Sequence, residues 1–184
     1  MKCVLIGCRC SGKTLVGREV AQRLGAAFKD SDRLVETRAG KSVAEIFAQD
    51  GEGAFRALER DVIAQLRDEN EAVIAAGGGA VMEAANVEAL KHNAKVIWLE
   101  TSPEELTRRA QAEEENGVVR PPLTDLPPGE EIAKIARERR ELYMAAADCI
   151  IATDGLTVEG VADRVVDYLE LLGIVKPPEK STGT

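Results

Sequence analysis

Residues 7 to 14 read Gly7-Cys8-Arg9-Cys10-Ser11-Gly12-Lys13-Thr14, the G-x-x-x-x-G-K-T spacing of a loop that cradles nucleotide phosphates. The chemistry follows from the residue types. Gly7 and Gly12 let the backbone take positive φ, so that successive N–H groups point into one concavity. A helix starting near Lys13 and continuing through Leu15 adds the positive end of its dipole. Lys13 can reach the β- and γ-phosphates, and the Thr14 hydroxyl can sit on Mg²⁺. The expected cradle therefore runs from Gly7 to Leu15, with a nucleotide and Mg²⁺ as its ligands.

An acceptor for such chemistry must be sought elsewhere. In open α/β sheets, ligands gather beyond the carboxyl ends of the strands. Phe28-Lys29-Asp30-Ser31-Asp32 follows one predicted strand and puts two carboxylates at that edge. They could face a ligand or cap the next helix. Gly77-Gly78-Gly79 follows another and brings bare backbone close to a ligand, or is a plain turn. Arg56 lies on the shoulder of an amphipathic helix whose core face is Phe55, Leu58, Val62 and Leu66; taken alone it reads as a solvated arginine. Arg139 falls within the apolar stripe of Ile132, Ile135, Ala136, Leu142, Tyr143 and Ala146, whereas Arg137 and Arg140 do not. An arginine so placed is paired with a carboxylate or faces a ligand. Arg120, in Arg120-Pro121-Pro122-Leu123, is a fixed cation in a segment with little apolar periodicity. That suits a lid whose arginine meets phosphate on closing, or an ordinary solvated side chain.

These residues need a scaffold, and the chain alternates suitable elements. Apolar strands are predicted over 2–6, 26–28, 72–75, 96–99 and 149–152, with helical stretches between them. The strands are apolar on both faces, as buried parallel strands are. This pattern predicts a three-layer α/β sandwich with right-handed crossovers. Ser42 with Glu45 reads as a capping box, and Ser102-Pro103 with Glu105 as a second. The last helix begins near Val158, with Val158, Val161, Ala162, Val165, Leu169 and Leu172 as its apolar stripe. Residues 111–131, rich in Glu, Pro and Gly, are expected to form a mobile excursion within one domain spanning 1–175. The polar tail 176–184 is expected to be disordered.

Bulk composition narrows the classes. With 184 residues the chain suits one core, and with 3 % aromatic residues that core must be aliphatic. A net charge of −8 argues against nucleic acid or an anionic membrane as the main partner. No stretch resembles a signal peptide or a membrane span, so a cytoplasmic location is expected. The four cysteines suit reduced thiols there; Cys8 and Cys10 lack a second Cys/His pair for zinc, and Cys3 and Cys149 read as core. His92, the single histidine, reads as a surface-turn residue.

Taken together, the order and spacing of these residues resemble the shikimate kinases, within the nucleoside-monophosphate-kinase-like P-loop fold. The resemblance runs from Lys2 to about Leu172. It rests on Gly7–Thr14, Asp30-Ser31-Asp32, Phe55-Arg56 with Glu59, Gly77-Gly78-Gly79 after Val73-Ile74, and Arg120-Pro121 with Arg139 four before Tyr143. It implies a five-stranded parallel sheet of order 2-3-1-4-5 with a mobile lid. It also implies ATP-dependent phosphorylation of the 3-hydroxyl of shikimate, in aromatic amino-acid synthesis, by a monomer. Asp32 would bind the acceptor hydroxyl and take its proton, and Asp30 would sit near Mg²⁺ through water. Arg56 and Arg139 would hold the substrate carboxylate, with Gly77, Gly78 and Gly79 lining the acceptor pocket. Arg120 would stabilise the transferred phosphoryl group, and Arg109 would lie against adenine. The chain departs from the family pattern at Pro122, in the longer acidic stretch between Arg109 and Arg120, and at Cys8 and Cys10. The rival readings are another small-molecule P-loop kinase, of gluconate or nucleoside-monophosphate type, and a nucleotide-binding module without catalysis. The paired Asp and Arg set favours a polyhydroxy carboxylic acid over a base.

Overall fold

The computed structural model describes residues 1–115 and 126–175. Arg120, the core of the expected lid and the tail 176–184 lie outside the described residues. Five parallel strands form one sheet: β1 (Lys2–Ile6), β2 (Ala27–Asp30), β3 (Ala72–Ala75), β4 (Ala94–Glu100) and β5 (Cys149–Ala152). Their spatial order is β2-β3-β1-β4-β5, as the resemblance implies. The intervening helices are α1 (Lys13–Leu24), α2 (Ser31–Ala39), α3 (Val43–Gln49), α4 (Gly51–Leu66), α5 (Ala84–Lys91), α6 (Pro103–Glu115), α7 (Pro128–Ala146) and α8 (Val158–Leu171).

Alternation along β1 divides the core in two. Val4 and Ile6 pack on one face against residues of α2, α3, α4, α5 and α7, including Val35, Ile46, Ile63, Leu90 and Tyr143. Cys3 and Leu5 pack on the other against α1 and α8, through Val16, Val20, Val161 and Val165. Because side chains alternate across a strand, each β1 residue is committed to one layer, and all five are buried. Both faces must therefore be apolar.

Several boundaries differ from the sequence reading. β2 extends through Lys29 and Asp30, which pair with Ile74 and Ala75, so Asp30 ends a strand rather than following it. β4 takes in Lys95 and Glu100. Ladder pairing to a neighbour outweighs the low strand propensity of charged ends. The Ser42–Glu45 capping box is complete. The one at Ser102 is half formed: Glu105 N–H donates to Ser102 Oγ at 3.2 Å, while the Glu105 carboxylate accepts from Arg108 and Arg109 instead. Residues 111–115 complete α6 and 128–131 begin α7, so both ends of the expected excursion are helical. Cys149 is only half-buried because β5 is an edge strand. Leu142 and Leu172, assigned to apolar stripes, are 42 % and 44 % exposed.

Lys2 shows how a charge can be held in this core. It is almost fully buried, and its Nζ donates to Arg67 O at 2.6 Å, just past the last turn of α4. A lysine there satisfies a helix-terminal carbonyl and complements the dipole.

Candidate active site

The carboxyl ends of β1, β2 and β3 open onto a cleft of about 970 Å³. Its walls include Lys13, Thr14, Asp32, Arg56, Arg109 and Arg139. The connection between β1 and α1 forms one wall. Gly7 and Gly12 take φ of 146° and 93°, as expected for the cradle. A Cβ on Gly7 would lie 2.8 Å from Leu99 O, so no side chain can be placed there without moving β4. Cys10 also takes a left-handed φ, 64°, at a cost of roughly 1–2 kcal/mol for a residue with a Cβ. Cys8 is buried in an apolar cluster with Leu106, Ile132 and Ile135, and that burial raises its thiol pKa. Cys8 therefore offers a ligand its backbone, not its thiol. Ser11 is buried, and Leu15 is exposed beside the cleft.

Lys13 spans the loop. Its Nζ donates to Gly7 O at 2.9 Å and Cys8 O at 2.7 Å. Burial lowers its pKa, and the nearby Asp32 and Asp30 charges act against that shift. Arg9 reaches outward to Glu131, at 3.2 Å, in the first turn of α7. Arg109 donates to Cys10 O at 3.4 Å and to Thr153 O at 3.3 Å. It thus joins the phosphate loop to the end of β5, where Leu156 and Thr157 also line the cleft. Glu105 anchors Arg109; its carboxyl is held down at about 2 by hydrogen bonds from Arg108 and Arg109.

Asp30 does both things open to it from sequence. One oxygen caps α2, accepting from Asp32 N at 3.1 Å and Arg33 N at 3.3 Å. The other accepts the Thr14 hydroxyl at 2.7 Å. The Thr14 and Asp30 oxygens are hard donors beside the phosphate loop. That is the donor set Mg²⁺ takes when it keeps its waters and shares substrate phosphates. Among the described residues there is no cluster of three or more His, Cys, Asp or Glu able to form an all-protein cage.

The glycine run after β3 is ringed by the other candidates. A Cβ on Gly77 would lie 2.5 Å from Asp32 Oδ1 and 2.9 Å from Glu59 Oε1. A Cβ on Gly79 would overlap the Arg56 guanidinium. Gly78 O accepts from Arg139 Nη1 at 3.1 Å and from Tyr143 Oη at 2.6 Å. Glycine is needed here because two carboxylates and two guanidinium groups crowd the backbone. Arg56 is not the solvated arginine of the isolated reading. It pairs with Glu59 at 2.8 Å and Glu52 at 3.0 Å.

Three contributors were not assigned a role from sequence. Glu59 is buried, and Oε1 has no hydrogen-bond partner among the described residues; burial raises its pKa and the Arg56 charge opposes the rise. Ser31 Oγ accepts Gly77 N–H at 2.8 Å and so fixes the glycine run to the start of α2. Tyr143, buried and stacked on Trp98, holds Gly78. Glu59 carried a signal, being three residues after Arg56 on one helix face. Ser31 and Tyr143 carried none, because their contacts depend on the sheet order.

A phosphate loop on a 2-3-1-4-5 parallel sheet, with Asp32, Arg56 and Arg139 gathered around the Gly77–Gly79 run, marks the class of P-loop phosphotransferases. The family model for shikimate kinase matches residues 9–170. The chain belongs to the shikimate kinase family. The shikimate kinase of Symbiobacterium thermophilum is 43 % identical over 174 residues, covering 94 % of this chain and 98 % of that one. That of Moorella thermoacetica is 44 % identical over 167 residues, covering 91 % and 93 %. Among solved structures, the shikimate kinase of Acinetobacter baumannii in complex with shikimate superposes with a TM-score of 0.85 at 31 % identity, covering 93 % of both chains. Among the described residues no helix is long and apolar enough to cross a membrane.

Proposed function

We propose that this protein transfers the γ-phosphoryl group of ATP to the 3-hydroxyl of shikimate, giving shikimate 3-phosphate for aromatic amino-acid synthesis. The observation that carries this reading is the ring of Asp32, Glu59, Arg56 and Arg139 around the Gly77–Gly79 backbone. That ring is built for a small molecule carrying both a hydroxyl and a carboxylate.

The roles follow from the chemistry of each group. Arg56 and Arg139 take the acceptor carboxylate, a task suited to planar guanidinium forks. Asp32 accepts the proton of the attacking hydroxyl as its oxygen bonds to the γ-phosphorus and the bond to the β-phosphate oxygen breaks. The products are the phosphorylated alcohol and ADP. Backbone N–H groups from Gly7 to Leu15 and the Lys13 ammonium hold the phosphates. Thr14, and Asp30 through water, would hold Mg²⁺, which neutralises phosphate charge when bound. Arg109, held between the phosphate loop and Thr153, would stack on adenine. Glu59 fixes Arg56 in place. Coupled turnover assays with shikimate, gluconate and AMP test the whole reading. Turnover with shikimate alone is the expected result, and preference for either rival would replace it.

Arg120 completes the set on sequence grounds as the cation meeting the transferred phosphoryl group. Arg120→Ala should lower kcat by about 10³-fold, the lower end for such arginines, and change acceptor affinity far less. Steady-state kinetics with an unchanged kcat would remove it from the chemistry.

Gly79→Ala tests the acceptor wall without deleting a charge. The new methyl must push the Arg56 guanidinium aside, and that group is the flexible end of a side chain, so the fold should survive. Losing a charge-assisted hydrogen bond costs about 1.5–3 kcal/mol, so acceptor binding should weaken by about ten- to a hundredfold while the melting temperature barely moves. Unchanged acceptor affinity by calorimetry would count against Arg56 as a carboxylate ligand.

A further inference from the structure

A second pocket, of about 340 Å³, lies between the carboxyl ends of β4 and β5 and the inner face of α7. It shares Cys8 with the phosphate cleft and no other lining residue. Its volume is within the range of small-ligand sites, roughly 300–1,000 Å³. Its floor is apolar: Leu99, Leu106 and Ala136 lie beside the exposed edge of Trp98, which stacks on the buried Tyr143 with centroids 5.7 Å apart. Its lining carries both signs, Arg137 and Arg140 from α7 and Glu100 and Asp154 from the ends of β4 and β5.

This charged lining is only partly self-satisfied. Arg140 pairs with Glu100 at 3.3 Å and lies 5.8 Å above the Trp98 ring. Asp154 Oδ1 accepts Ser102 N–H at 3.1 Å. Arg137 has no ion pair among the described residues. A simple anion entering this pocket would meet Arg137 but be repelled by Glu100 and Asp154. A simple cation would meet the reverse. A sugar phosphate or nucleotide would leave its hydroxyls or phosphates against Trp98 and Leu106 without partners, at the desolvation cost of unpaired polar groups. A molecule with one positive group, one negative group and an apolar body satisfies every wall at once. We propose that this pocket is a second small-molecule site, separate from the phosphate cleft, for an apolar α-amino acid or an equivalent zwitterion. The carboxylate meets Arg137 and Arg140, the ammonium meets Glu100 and Asp154, and the side chain packs against the apolar wall of Leu99, Leu106 and Ala136 beside the edge of Trp98.

Trp98 is the single tryptophan of the chain, so its emission reports occupancy directly and without any activity measurement. L-Phenylalanine titrated into the full-length protein should change that emission saturably. 3-Phenylpropionate, which lacks the ammonium, and 2-phenylethylamine, which lacks the carboxylate, should each bind at least tenfold more weakly. Saturating ADP and shikimate should leave the titration in place. Arg137→Glu, an exposed change, should weaken L-phenylalanine at least tenfold, and Ala136→Leu should fill the pocket and abolish the signal. Both variants should retain phosphoryl transfer. Absence of a saturable change would overturn the site. Equal affinity for either single-charge analogue would overturn the zwitterion assignment, and displacement by ADP and shikimate would place the binding in the catalytic cleft instead. Since the readout is independent of turnover, these outcomes stand whichever acceptor the catalytic site prefers.

Discussion

Lys13→Ala should lower phosphoryl transfer by at least about 10²–10³-fold, the cost of removing one preorganised donor from a developing charge. The fold should persist. The ammonium donates to Gly7 O and Cys8 O, so its removal loosens the loop. It also takes a buried charge out of the protein, and burial already works against that charge. These contributions to stability oppose each other, whereas nothing replaces Lys13 at the phosphates. Circular dichroism should be unchanged while coupled-assay turnover collapses. Near-normal turnover in a folded variant would end the P-loop assignment.

Arg139→Leu should weaken acceptor binding by about 2–5 kcal/mol, the range for losing one partner of a desolvated charge pair, and leave ATP binding nearly intact. The structure makes this a clean test. Gly78 O keeps its hydrogen bond from Tyr143 at 2.6 Å when Arg139 is removed, so the glycine run stays tethered. Calorimetry with each ligand separately reads the outcome. Arg140→Leu, next along the helix but directed to Glu100, should do little to either. Equal losses for both ligands with Arg139→Leu would contradict its role at the carboxylate.

The phosphate loop was legible from sequence because its chemistry is local: eight consecutive residues carry the geometry, and φ of 146° and 93° at Gly7 and Gly12 follow from what only glycine does easily. Arg139 was legible through helical periodicity, since the stripe that buries Ile132, Ile135 and Tyr143 carries it to the cleft. The same stripe overreached at Leu142, because the arc of α7 that meets the sheet is narrower than the apolar arc of its sequence. Asp30 was legible only as an alternative. A carboxylate has two oxygens, and capping α2 with one leaves the other for Thr14. The Cys10 backbone carried no local sign, since a left-handed cysteine is unexpected where glycine would cost less. Ser31 and Tyr143 were illegible in principle. Their bonds to Gly77 and Gly78 span 46 and 65 residues and exist only once β3 is inserted between β2 and β1.

Helix α7 touches both the phosphate loop and the glycine run after β3. Its first turn grips the phosphate loop through Glu131 and Arg9. About two and three turns further on, Arg139 and Tyr143 hold the glycine run at Gly78 O. A helix is stiff along its axis, so a displacement at one end is transmitted to the other. Occupancy of the two substrate subsites then becomes a linked equilibrium. By whatever factor ATP changes the dissociation constant of the acceptor, the acceptor must change that of ATP by the same factor, because the four binding steps close a thermodynamic cycle.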